Sequence, residues 1–230
     1  VNARTPSSRR DRPGRSRSQD NPSREERKQA TRRAIIAAAL KLLADTSFSA
    51  LSLRLVTREA GIVPAAFYRH FDSMDALGLV LIDESFRSLR DTLRAARTGR
   101  IDPTRVIDST VQILSAGVTQ QREHWRFIAR ERSSGVPALR YAIRTEIRLI
   151  TSELATDLAR FPELRDWSTE DLIILAGLFV NSMIIIAEAL EDATEAAAVE
   201  EITRRAEKQL RMIVLGIAGW RSDPVGQDPG

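Results

Sequence analysis

The sequence predicts an all-α protein: an N-terminal three-helix helix-turn-helix domain followed by a larger C-terminal helical domain. Three observations predict the architecture. No stretch shows the strict apolar–polar alternation of a half-buried strand. Apolar residues recur at helical spacing from Ile35 onwards. Two short helical segments also meet at a turn that contains Gly61 and is followed by Pro64.

The elements follow in chain order. Residues 1–24 are rich in Arg, Ser, Pro and Asp with almost nothing apolar, so they are expected to be a disordered basic arm. They hold seven arginines against two aspartates, an excess of +5 in a chain of net charge +4, which leaves −1 for the rest. A basic arm on a near-neutral body suits a polyanionic partner, or serves only as a solubilising leader. Ile35, Ile36, Ala39, Leu40 and Leu43 give an amphipathic helix over about 25–45. Ser52 caps a second helix that Gly61 ends, and Pro64 opens a third that runs to His70. The expected boundaries are thus a helix-turn-helix domain over 25–72, a helical domain over 73–220 and a disordered tail over 221–230.

Within the larger domain, Ser73 caps a helix that runs to Arg97, and Gly99–Pro103 breaks the chain. Further helices are expected over about 103–121, 124–132, 137–160, 168–190 and 195–220, with Ser168 and Asp171 resembling a capping box. The apolar run Leu172–Ala187 is interrupted by Asn181 and Ser182 and falls short of a membrane span, so it reads as a buried helix. A buried Asn181 would need a partner: a neighbouring backbone group, a ligand carbonyl or a two-fold mate. Trp125 and Phe127 read as core or pocket wall.

Composition narrows the function. The chain has no cysteine and two histidines, and it lacks H-E-x-x-H, G-x-S-x-G and any glycine-rich phosphate loop. No catalytic residue, metal site or cofactor is therefore expected. The absence of cysteine suits a reducing cytoplasm, the expected location, with no membrane partner. A helical adaptor without a DNA role is the alternative of another class.

The stretch Thr57–Leu77 carries the sharper signal. Leu53, Val56, Ala60, Ile62, Phe67 and Phe71 have the spacing of a small three-helix core. That leaves Arg54, Ala65, Ala66, Tyr68, Arg69 and His70 outward. In a helix-turn-helix the second helix enters the major groove. Pro64, Ala65 and Ala66 permit close approach, and an alanine methyl suits a thymine methyl. Thr31, Ser52, Arg54, Tyr68 and His70 have the donors for phosphate oxygens.

"AGIVPAAFYRHFDSMDAL" resembles the TetR family of bacterial regulators, through Ala60, Gly61, Ile62, Tyr68, His70, Phe71 and Leu77. The resemblance covers about residues 28–80. Val63 stands where the family usually has Ser, and Met74 where it usually has Lys, so one cap and two phosphate contacts are in question. The resemblance implies a dimeric regulator, most simply a repressor, on a palindromic double-stranded DNA operator. The last two helices are its expected dimer seam, with Leu210, Ile213 and Ile217 facing the partner.

A narrower likeness lies in "FYRHFDSMDALGLVLIDES" and "FIARERSSG", which are similar to TetR-type regulators of fatty-acid synthesis and desaturation. It implies control by an acyl thioester such as long-chain acyl-CoA. Leu81, Leu114, Phe127, Leu178 and Met183 are the candidate lining of an apolar tunnel. Arg126, Arg130, Arg132, Arg140 and Arg144 are candidate cations for the CoA phosphates, while Arg130-Glu131-Arg132 equally suits an ion-pair network tying the two domains. Another hydrophobic effector, such as a drug controlling an efflux gene, is the alternative within the same family.

Overall fold

The computed structural model describes residues 23–97, 106–133 and 136–222. Residues 1–22 of the basic arm, the Gly99–Pro103 break and residues 223–230 of the tail lie outside these described residues. Every described element is helical.

Helix α1 (Arg24–Leu43) opens with a capping box. Ser23 Oγ accepts from Glu26 N at 3.1 Å, and Glu26 Oε2 accepts from Ser23 N at 2.5 Å. This reciprocal pair satisfies two otherwise orphan donors. It starts the helix at Arg24, the residue with which the arm was expected to end. The signature, Ser23-x-x-Glu26, is visible in the sequence.

A single 3-10 turn (Phe48–Ala50) leads to α2 (Leu53–Glu59), and Ser52 Oγ accepts from Leu55 N as expected. Gly61 then adopts φ +68, the left-handed region that an L side chain rarely enters. Its turn lets Ile62 N reach Thr57 O at 3.0 Å and so closes α2. Helix α3 (Pro64–Phe67) is shorter than expected. Beyond it the bonds tighten, Arg69 N to Ala66 O and His70 N to Phe67 O, so residues 68–70 are turn rather than α-helix.

The larger domain contains α4 (Met74–Arg97), α5 (Val106–Gln120), α6 (Arg122–Glu131), α7 (Pro137–Leu158), α8 (Thr169–Asp192) and α9 (Ala196–Ile217). Ser168 caps α8 by accepting from Asp171 N at 3.1 Å. Ser222, expected in the tail, accepts from Ser168 N at 2.7 Å and bonds Asp171, so the end of the described chain folds back on the start of α8.

One apolar core crosses the domain boundary. Ile35, Leu43, Phe48, Val56, Phe67 and Phe71 of the small domain are continuous with Leu77, Leu81 and Phe86 of α4, Phe127 of α6, and Leu139 and Ile143 of α7. The closest approach is at Gly78. A methyl group there would sit 2.7 Å from the Phe48 ring and 3.1 Å from Leu139. Glycine is what lets the 3-10 turn lie against α4 and α7. Two further clusters lie away from the small domain, one among α5, α8 and α9, the other between α7 and α8.

Candidate nucleic-acid interface and effector cavity

The helix-turn-helix presents one polar face. Val56, Phe67 and Phe71 are buried, and Leu53, Ala60 and Ile62 pack against them. Ser52, Arg54, Pro64, Ala65, Tyr68 and Arg69 are exposed, while Thr31, Ala66 and His70 are partly so. Tyr68 stands edge-on to Phe67, with ring centroids 5.7 Å apart, and remains 58% exposed. Its ring root is thus packed while its hydroxyl faces out.

Arg32 was not singled out in the sequence, yet it organises this corner. Its guanidinium lies 4.5 Å over the Phe71 ring and donates to His70 O at 3.0 Å. Burial, reinforced by Lys28, Arg32 and Arg69, holds the His70 pKa below the usual histidine range. His70 is therefore a neutral donor at neutral pH, and the positive charge at this corner is carried by Lys28, Arg32 and Arg69. The four-residue spacing Lys28–Arg32, one turn of α1, is the signal that could have found them.

The larger domain encloses a cavity of about 600 Å³ among α4 to α9. Phe86, Leu114, Trp125, Ile150, Phe179 and Met183 are among the residues of its apolar wall. Among the described residues two ion pairs line it: Arg132–Glu188 at 2.8 Å, and Asp157–Arg160 at 3.4 Å.

Helix α6 has two faces. One contributes Trp125, Ile128 and Ala129 to the cavity, continued by Arg132 just past its end. The other grips the small domain. Arg130 Nη1 donates to Leu43 O at 3.1 Å and Thr46 O at 2.7 Å, closing the C-terminal end of α1. Arg126 Nη1 reaches Ala44 O at 3.5 Å while its Nε donates to Glu191 Oε1 at 2.5 Å. Glu131 is fully buried and its Oε1 accepts from Phe48 N at 2.9 Å. Behind α6, His124 Nδ1 lies 2.8 Å from Ser85 Oγ of α4. The Ser85 hydroxyl donates to Leu81 O, so the imidazole is the donor in the histidine–serine bond. Burial keeps this ring neutral.

Helices α8 and α9 leave an apolar face uncovered. Ile174, Leu178, Asn181 and Ile185 form one exposed stripe of α8, and Met212 and Leu215 are 73% and 76% exposed on α9. Helix α8 is long and apolar enough to cross a membrane, counter to the reading that its run is too short, because Asn181 and Ser182 do not interrupt the helix. Only 28% of its most apolar window is buried, so it is not the fully covered helix its composition suggested. Its uncovered residues form a stripe beside α9.

Residues 35–79 match the family model described as bacterial regulatory proteins, tetR family. The chain carries a TetR-family N-terminal domain. The TetR-like architecture extends over the rest of the described chain. A TetR-like transcriptional regulator from Rhodococcus sp. RHA1 superposes with a TM-score of 0.63 at 16% identity, covering 87% of this chain and 100% of that one. The fatty acid degradation regulator FadR from Bacillus halodurans gives 0.64 at 13% identity, over 84% and 97%. AibR, solved with isovaleryl coenzyme A and operator DNA, gives 0.59 at 14% identity, over 77% and 96%. At these identities the likeness establishes a shared fold.

Inside this TetR-like frame several expected positions move. Leu114, Arg132 and Met183 line the cavity. Leu81 and Phe127 do not; both lie in the core shared with the TetR-type head. Leu178 points outward from α8 and is 51% exposed. Arg130 binds the Leu43 and Thr46 carbonyls instead of facing the cavity, and Glu131 holds Phe48 N, so the tie between the domains is made to backbone groups and not by an Arg130–Glu131–Arg132 ion-pair network. Arg144 is exposed on α7 and outside the cavity wall. Leu210 is buried within the protomer and lines the cavity, and Ile213 and Ile217 pack into the same subunit's clusters. Of the three residues expected in the seam, Leu210 faces inward, because a protomer core demands the same helical spacing as a partner surface, while Ile213 and Ile217 remain partly exposed. Asn181 is exposed on the protomer, in the outer stripe of α8.

Proposed function

We propose that the protein is a homodimeric TetR-type repressor that releases or grips a palindromic operator according to occupation of its cavity. The observation that carries this reading is the double role of α6, which walls a largely apolar cavity and binds the carbonyls at the end of α1. A ligand that prefers one placement of α6 must shift the placement of the reading heads, and DNA affinity with it. The DNA face is Thr31, Ser52, Arg54, Pro64, Ala65, Ala66, Tyr68, Arg69 and His70, extended by Lys28 and Arg32. The α8–α9 stripe forms a four-helix seam with its two-fold mate and fixes the spacing of the two heads.

For the effector we propose an acyl chain of the long-chain acyl-CoA class, and control of lipid-metabolism genes. The apolar wall and the volume of about 600 Å³ suit a flexible chain with its bulky nucleotide left outside. Arg126 and Arg130 are engaged elsewhere, so the CoA phosphates would meet solvent or other cations. A gel shift on the DNA upstream of the gene, with and without palmitoyl-CoA, tests the reading. Specific binding that palmitoyl-CoA changes at micromolar concentration is expected. Binding that is only weak and erased by moderate salt would remove the regulator reading. Specific binding indifferent to palmitoyl-CoA would leave the repressor and discard the acyl effector.

Tyr68→Phe is expected to weaken operator binding by about 1 kcal/mol, the scale of one hydrogen bond, and by more if a phosphate accepts it. The fold should persist because the ring contact with Phe67 is kept. Unchanged affinity at physiological salt would take Tyr68 out of the interface.

A further inference from the structure

Resting on the acyl-effector reading, we propose that Arg132 is the polar anchor of the cavity and that it takes a neutral acyl carbonyl, with Glu188 set beside it to reject the free carboxylate.

Among the described residues the cavity wall holds two cations, of which Arg132 is the one placed to anchor a ligand. Arg160 is 76% exposed, and its partner Asp157 sits one turn away on the same stretch of chain, so its charge is largely given to solvent. Arg132 is 34% exposed and is paired across helices with Glu188 of α8, Nη2 to Oε1 at 2.8 Å. A guanidinium has five N–H donors in a rigid fork. The contact with Glu188 uses one edge of that fork, leaving others for a group inside the cavity.

The chemistry of that group follows from the charge at the site. Arg132 and Glu188 together are neutral. A second carboxylate on Arg132 would leave a net negative charge against a wall of Trp125, Ile128, Met183 and Ala187, with a like charge as its neighbour. A thioester or ester carbonyl accepts the same N–H without adding charge. The site therefore selects the activated or esterified acyl group over the free acid, and Glu188 is the residue that discriminates by repulsion.

The anchor also has a mechanical address. Arg132 caps α6, its N–H donating to Ile128 O, directly after Glu131, whose carboxylate holds Phe48 N. A carbonyl drawn to Arg132 thus engages the end of α6 nearest the joint with the reading head.

The test is calorimetry on the intact protein with three probes of one chain length: a palmitoyl thioester of N-acetylcysteamine, which lacks the CoA phosphates, methyl palmitate and free palmitate. The thioester and the ester should bind about tenfold or more tighter than the acid at neutral pH, the scale of one charge-assisted hydrogen bond. Arg132→Gln should lower thioester affinity by a similar factor. Glu188→Gln should raise free-acid affinity by about tenfold and leave the thioester within about twofold. Far-ultraviolet circular dichroism and the gel shift establish that each variant is folded. Equal binding of acid and thioester by the wild type, or thioester affinity unchanged in Arg132→Gln, would overturn the anchor while leaving an acyl effector in place. If none of the three probes binds while operator binding is intact, the acyl-effector reading falls and the anchor with it.

Discussion

Glu131→Ala is expected to destabilise the protein by about 2–4 kcal/mol. Glu131 is fully buried, and its Oε1 is the acceptor for Phe48 N in the turn that joins α1 to α2. Truncation leaves a buried N–H without its partner, costing about 1–3 kcal/mol, and adds the cost of the void left by the missing methylene and carboxylate. Phe48 is also wedged against Gly78, Leu139 and Phe127, so the turn has little room to move and recover the bond. Glu131→Gln should lose much less. Its amide oxygen accepts the same bond, and its NH₂ replaces Oε2, a buried oxygen that has no hydrogen-bond partner. Urea denaturation of the three proteins reads the difference. The alanine variant should also bind operator more weakly at temperatures where it is folded, because the head keeps only the Arg126 and Arg130 contacts with α6. A midpoint for Glu131→Ala equal to that of the wild type would show that the bond contributes nothing.

Leu178→Asp should turn the proposed dimer into a folded monomer and reduce operator affinity by about two orders of magnitude or more. Leu178 projects from α8 and takes no part in the clusters that hold the protomer together, so the substitution spares the subunit's own core. In the proposed four-helix seam it buries a carboxylate without a counter-charge, which is strongly unfavourable. Operator affinity falls because the second head is no longer tethered near its half-site, a loss on the scale of about 10²–10⁴ for bivalent binding. Leu210→Asp is the informative contrast: Leu210 is buried in the protomer, so that variant should unfold or aggregate. Light scattering with circular dichroism separates the two. A Leu178→Asp protein that stays dimeric with full operator affinity would place the interface on another surface.

The confusion between Leu178 and Leu210 shows where sequence reasoning runs out. Helical periodicity located all the larger helices to within a few residues, because capping residues such as Ser52, Ser73 and Ser168 and breakers such as Gly61 and Pro64 act locally. The outward Tyr68, Arg69 and Arg54 were legible for the same reason: three short helices around Val56, Phe67 and Phe71 leave few choices of inside and outside. On α8 and α9 both an inner and an outer apolar stripe exist, and periodicity has no means to say which one a second helix of the same chain covers. Glu131 was illegible for a different reason. Between Arg130 and Arg132 it reads as one member of a charge run. Its partner is a backbone N–H 83 residues earlier, and Arg130 turns to carbonyls at Leu43 and Thr46. Such contacts depend on where α6 docks, which no local pattern encodes.

Under the proposed function, the two faces of α6 separate what the cavity accepts from what reaches the DNA. Among the cavity wall residues, Ile150, Leu154 and Val180 belong to or pack against the core shared with the small domain, whereas Leu158 of α7, Phe179 of α8 and Val214 of α9 take no part in it. They are free to be exchanged, so the shape of the accepted molecule can drift by mutation or be redesigned while the transmission to DNA is inherited intact. Exchanges in Arg126, Arg130 or Glu131 have the opposite character, since they would uncouple response from occupancy whatever the inducer. A library aimed at a new biosensor specificity should therefore vary positions such as Leu158, Phe179 and Val214 and hold the ten residues of α6 fixed.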